Sequence, residues 1–116
     1  MDTIVYYMAS CDTCRKILAS LPKNNLQLRD IKQQPLTGSE VDALKNLAGS
    51  YEALFSRKAQ LYKSLGLKDK KLTEPDYRKY LLEHYTFLSR PVFVIGGIIF
   101  IGNRPENVAK VIEALS

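Results

Sequence analysis

The chain has 116 residues, 46% of them hydrophobic and 25% charged, with a formal net charge of +5. That length fits one domain around a modest core, and no stretch approaches the ~18 apolar residues of a membrane helix. Two cysteines and one histidine fall short of the about four ligands of a zinc site unless copies combine, and the positive excess favours an anionic substrate or an acidic partner.

In chain order, Asp2 stands where a secretory signal would be basic, and no small-residue cleavage site follows. A cytoplasmic location is therefore expected, with no membrane partner. TIVYYM (3–8) is β-branched and aromatic and predicts a buried strand. After Cys11 and Cys14, residues Ile17, Leu18 and Leu21 fall at helical spacing, and Pro22 predicts the stop. LQLRDI (26–31) alternates enough to predict a second strand, giving a strand–helix–strand unit. Thr37 with Glu40 predicts a capping box ahead of Val41, Leu44 and Leu47, and Gly49 ends that run.

A second helical stretch is expected over 51–66 with Leu54, Leu61 and Leu65 as its stripe. KDKK (68–71) has no interleaved aromatics and reads as solvated surface, so no direct nucleic-acid contact is expected. Thr73, Glu74, Pro75 and Asp76 predict a further helix carrying Tyr77, Tyr80, Leu81 and Leu88, with His84 on or near that face as an ordinary helix residue. VFVI and IIFI flank Gly96-Gly97, a strong hairpin signal. Asn103, Pro105 and Glu106 predict the start of a last helix through Val108, Val111, Ile112 and Leu115. The order βαβ, helices, ββα is that of an α/β thioredoxin-like fold with a helical segment inserted.

The chemistry gathers at Cys11. A cysteine between a first strand and a first helix lies at a helix N-terminus, where free amides favour thiolate over thiol. Arg15, one turn on, is expected to add to that field. Cys14 faces the same side of the first turn and is placed to attack an adduct on Cys11. A C-x-x-C at this point of a βαβ pattern is a redox signal, and a permanent staple is not expected in a reducing compartment. Pro91 opens a strand at a point where thioredoxin-like chains often carry a cis proline. That geometry would bring Arg90 beside the thiol.

Several separated blocks then carry a resemblance: CDTCRK, QQPLT, ALFSRKAQLYKSLGL, LSRPVFV and NRPENV, in order along nearly the whole chain. The chain resembles the ArsC/Spx family of glutaredoxin-coupled arsenate reductases and Spx-type transcriptional regulators. The resemblance implies one thioredoxin-like domain over 1–116, with the helical insertion at about 37–88. It implies that Cys11 is the nucleophile, that Arg57, Arg90 and Arg104 hold the oxyanion, and that no cofactor is bound. Glutathione would then be the electron-donating co-substrate, with glutaredoxin or thioredoxin as protein partner. Guanidinium forks suit such a substrate because they bind oxyanions bidentately and keep their charge.

Two positions depart from the reductase pattern. The reductases commonly carry a histidine where this chain has Tyr7, and a tyrosine supplies no imidazolium near neutral pH. Cys14 stands where they often have serine, and its C-x-x-C is the Spx arrangement, in which an internal disulfide is a switch. The leading expectation is thus an arsenate reductase-like thiol oxidoreductase, with Cys14 as an internal resolving thiol or glutathione in its place. The alternatives are an Spx-like regulator that binds the RNA polymerase α subunit, and a general thiol reductase of the same family.

Overall fold

A computed structural model describes residues 3–21 and 26–115. Backbone contacts divide the chain into two units, one made of the described parts of Met1–Gln34 and Arg90–Ser116, the other of Pro35–Ser89.

The first unit is a sheet with helices. Strand β1 (Thr3–Tyr7) leads into helix α1 (Asp12–Ser20), and β2 (Leu26–Asp30) returns parallel to β1 in the register Val5↔Leu28. After the second unit come β3 (Val92–Ile95) and β4 (Ile98–Ile101), an antiparallel hairpin, and a last helix over Pro105–Leu115. Among the described residues the strand order is β2-β1-β3-β4, with β1 antiparallel to β3. This is the expected thioredoxin-like arrangement.

The alternation along β1 puts Val5 on the same sheet face as its partner Phe93, and both are fully buried. Ile17 and Leu21 from the first helix and Val111 from the last close that face into a core, with Leu18, Val108, Phe100 and Tyr7 packed around it. The glycine turn forms as expected: Gly96 and Gly97 take φ of 55° and 83°, conformations that match the twist of a two-residue hairpin and that other residues adopt poorly. Leu21 caps the first helix, so the stop comes before Pro22, which lies outside the described residues. Leu28 in β2 is exposed.

The second unit is built from short helical pieces. Helix α2 (Gly38–Ala48) carries the predicted capping box, Thr37 accepting from the Glu40 amide at 3.2 Å and Glu40 accepting from the Thr37 amide at 2.9 Å. Gly49 ends it with φ 96°. The continuous helix expected over 51–66 is not there. A 3₁₀ turn at Glu52–Leu54 gives way to extended Phe55, which bridges to Leu88, and only Gln60–Ser64 (α3) is α-helical again. Tertiary pairing overrides the helical pattern: Ser56 N–H donates to the Phe87 carbonyl at 2.7 Å, and Ser89 N–H to the Leu54 carbonyl at 2.8 Å. Leu65, expected on the apolar stripe, is exposed.

Helix α4 (Glu74–Glu83) starts where predicted, with Thr73 and Asp76 as its capping box. It ends earlier than expected, because His84 is extended and opens a 3₁₀ turn at Tyr85–Phe87, which leaves Leu88 outside the helix. The His84 ring nitrogen Nδ1 accepts from the Thr86 amide at 3.2 Å. Phe55, at the centre, stacks on Phe87 at 5.2 Å and meets Tyr77 edge-on at 4.9 Å.

We number the last helix, Pro105–Leu115, α5. Its first turn receives Val108 N–H on the Arg104 carbonyl at 3.0 Å, so Arg104 and not Asn103 occupies the cap position.

Candidate active site at the first helix N-terminus

The chain leaves β1, turns through a Cys11 N–H to Met8 carbonyl bond of 3.0 Å, and starts α1. Cys11 is the N-cap: its backbone is extended (φ −92°, ψ 112°) and its carbonyl receives the Arg15 amide at 3.1 Å. Its sulfur does what a serine or aspartate oxygen does at most helix starts. The Cys14 N–H donates to Cys11 Sγ at 3.5 Å. Cys11 is partly exposed, whereas Cys14 is fully buried under the first turn, and both are free thiols.

The two sulfurs differ sharply in acidity. Burial pulls Cys11 upward, but the Cys14 amide and thiol, the charge of Arg90 and the Thr13 amide together hold it below its ordinary value of 9.0. Burial is also the largest influence on Cys14; the neighbouring Cys11 adds to it, and the thiol is pushed up to about 11. The pair is therefore asymmetric. Near neutral pH the accessible sulfur is the more readily ionised one, and the buried sulfur stays a thiol that can donate to it.

Arg90 and Pro91 precede β3. The Arg90–Pro91 bond is cis, Pro91 is fully buried, and its carbonyl accepts from the Gly102 amide at 2.9 Å. Arg90 Nε is buried, and the charge of its guanidinium acts on both cysteines. Arg15, expected to join this field, is instead ion-paired with Asp12 on the exposed side of the first turn. An acid three residues before an arginine on a helix captures it locally, so the cation acting on Cys11 comes from position 90.

Tyr7 lies in β1 and packs against the core formed with Val5 and Ile17, while its carbonyl receives the Ile31 amide at 2.9 Å. Arg104 is exposed at the start of α5, where Asn107 Nδ2 donates to the Gly102 carbonyl at 2.8 Å and fixes the turn.

Arg57 belongs to the second unit. Its Nη2 donates to Glu52 Oε2 at 2.5 Å and to the Tyr77 hydroxyl at 3.0 Å, and the guanidinium lies over the Tyr77 ring, 5.8 Å from its centre. Glu52 and Tyr77 are not among the expected site residues: Tyr77 lies 20 residues from Arg57, and Glu52, five residues away, reaches it across a stretch that is not helical. Among the described residues no group of histidine, cysteine and acidic side chains is placed to hold a metal ion.

Residues 6–111 match the ArsC family profile. An arsenate reductase of Haemophilus influenzae is 27% identical over 116 residues, covering 97% of this chain and 100% of that one. The global transcriptional regulator Spx 2 of Bacillus anthracis is 26% identical, over 92% of this chain and 84% of its own. Among solved structures, an arsenate reductase from Vibrio cholerae superposes with a TM-score of 0.80 at 26% identity, covering 96% of this chain and 98% of that chain. With the sheet, the cysteine at the helix start and the Arg90–Pro91 step in place, the chain belongs to the ArsC family.

Proposed function

We propose that this protein is a thiol-dependent oxidoreductase of the arsenate reductase type, in which Cys11 attacks an arsenate oxyanion held by Arg57, Arg90 and Arg104. The observation that carries this reading is Cys11 Sγ at the N-cap of α1, receiving an amide and lying in the field of Arg90. A thiolate approaching an anion is repelled, and guanidinium charge at the acceptor removes that repulsion and steadies the charge that develops on oxygen.

The thiolate forms an S–As bond, and one arsenate oxygen leaves as water after taking up protons. A second thiolate then attacks the Cys11 sulfur. The S–As electron pair departs with arsenic as arsenite, and two thiols become one disulfide, which supplies the two electrons. The second thiol is glutathione, whose mixed disulfide glutaredoxin reduces, or Cys14, whose disulfide with Cys11 thioredoxin reduces. Cys14 has proximity in its favour but a thiol pushed up to about 11. Forming the adduct removes the Cys11 charge, one of the influences that raise it, so Cys14 becomes a better nucleophile once its partner has reacted.

Arsenite formation measured with glutathione plus glutaredoxin, and separately with thioredoxin, tests the reading. Turnover is expected in at least one system and is lost in Cys11→Ser. Cys14→Ser should keep the glutathione cycle and lose the thioredoxin cycle. No arsenite in either system would overturn the oxyanion role, and disulfide reduction without arsenate turnover would identify a general thiol reductase.

A second reading is supported by the buried Cys14 beside Cys11 and by the likeness to an Spx regulator. In it, the Cys11–Cys14 disulfide switches a surface that binds the RNA polymerase α subunit. Binding of the purified α subunit that differs between oxidised and reduced protein would support it.

A further inference from the structure

The second unit contains a carboxylate that an oxyanion ligand would have to confront. Glu52 Oε2 receives both Arg57 Nη2 at 2.5 Å and the Tyr77 hydroxyl at 3.3 Å, and Tyr77 also receives Arg57 at 3.0 Å. The three groups form a closed triangle around one guanidinium nitrogen. Glu52 itself is held from behind: Glu74 accepts the Tyr51 amide at 2.8 Å and the Glu52 amide at 3.1 Å, which fixes the 3₁₀ turn that presents it. Arg57 and Glu52 are both half-exposed, so the pair is within reach of a solute.

We propose that Glu52 is a specificity-determining residue that competes with the oxyanion for Arg57 and so sets how tightly, and in which charge state, the anion binds. This rests on the assignment of Arg57 as an oxyanion ligand made above. Two charges of one sign cannot share a guanidinium edge without cost, so a bound anion either displaces Glu52 or is repelled by it, more strongly the more charge it carries. Tyr77 stays as a neutral partner throughout and keeps Arg57 in place when Glu52 yields. The hydrogen bond from Arg57 to Glu52 is also the leading cause that raises the Arg57 pKa, which agrees with a pair that is made in the absence of anion.

Glu52→Gln separates charge from position, because the amide oxygen still accepts from Arg57 while the negative charge is gone. The test measures how arsenate slows alkylation of Cys11 by neutral iodoacetamide in the full chain, for the parent, Glu52→Gln and Arg57→Gln, at pH 6 and pH 8. An exposed pair contributes little, so Glu52→Gln is expected to lower the half-protecting arsenate concentration by about two- to five-fold, with the larger gain at pH 8, where arsenate carries more charge. Protection that is unchanged or weaker in Glu52→Gln, while Arg57→Gln weakens it, overturns the competition and leaves the oxyanion role of Arg57 standing. Protection indifferent to Arg57→Gln overturns both, since Glu52 then has nothing to compete for. Circular dichroism melts of each variant check that the fold is intact, and a Glu52→Gln that fails to fold would show that the carboxylate is structural and overturn the proposal; Glu52→Asp, which keeps the charge but shortens its reach, is expected to bind arsenate at least as tightly as the parent, and weaker binding would count against competition.

Discussion

Both units of this chain bury apolar side chains, Leu54, Leu67 and Phe87 in the second as fully as Val5 and Phe93 in the first, but they differ in what surrounds those cores. In the first, Val5, Phe93 and Val111 are fully buried, and the sheet and two helices close on one apolar core. In the second, helices of 5 to 11 residues surround an aromatic group at Phe55 and are tied at the surface by paired charges. Asp42 is the clearest case: it accepts from Arg78 Nε at 2.8 Å, Arg78 Nη2 at 3.3 Å and the Tyr51 hydroxyl at 2.6 Å. Burial supplies stability that depends little on pH, whereas such exposed pairs contribute less and are weakened by salt and by acid. The candidate thiol Cys11 lies in the first unit, and Arg57, bonded to Glu52 and Tyr77, lies in the second.

Truncation should bring out the contrast most strongly. Phe93→Ala removes a fully buried ring from the sheet face and is expected to cost about 3–5 kcal/mol, read from the urea midpoint. A loss below about 1 kcal/mol would mean that the first unit does not depend on that core.

The next effect is on chemistry. Arg90→Lys keeps the charge near Cys11 but replaces a planar fork by a point contact. Arsenate turnover is expected to fall roughly 10- to 100-fold, from the loss of one charge-assisted hydrogen bond. Unchanged turnover would remove Arg90 from the site, and a collapsed melt would make its role structural.

The smallest effect belongs to the second unit. The hydrogen bond from Arg78, then that from Tyr51, hold the Asp42 carboxyl below its ordinary value of 3.8. A depressed folded pKa adds stability above the unfolded value of about 3.9, and that stability is lost as pH falls through the folded value. Asp42→Asn should therefore lower the melting temperature slightly at pH 7, where the contribution is fully present, and flatten its decline below about pH 4, where the parent has already lost it. An identical acid limb in parent and variant would mean that the Asp42–Arg78 pair is not closed in solution.

How much of this was legible in the sequence follows the same division. Local signals spoke clearly: the Thr37–Glu40 box, the Gly96-Gly97 turn and the cysteine after a β-branched strand each depend on residues within one turn of each other. The stretch 51–66 read as helix because Leu54, Leu61 and Leu65 are suitably spaced, yet Phe55 is extended to pair with Leu88, a contact that no local pattern encodes. Arg57 was visible through family resemblance, but its partners were not: Tyr77 reaches it from α4, and Glu52 reaches it only because the chain between them turns instead of continuing as a helix. Arg15 was expected to act on the thiol, whereas the fold pairs it with Asp12 on the exposed side of the first turn. The proline after Arg90 marked a strand start; that Arg90 Nε is buried required the fold.

Much turns on whether Cys11 is the ionised, reactive sulfur and Cys14 the protonated one. The most direct measurement is the rate of iodoacetamide alkylation at each cysteine against pH, with the modified residue identified by mass spectrometry. Cys11 alkylation is expected to rise with a midpoint below its ordinary value of 9.0, while Cys14 stays unreactive until the pH nears about 11. A Cys11 midpoint at or above 9.0, or a Cys14 that reacts first, would contradict it.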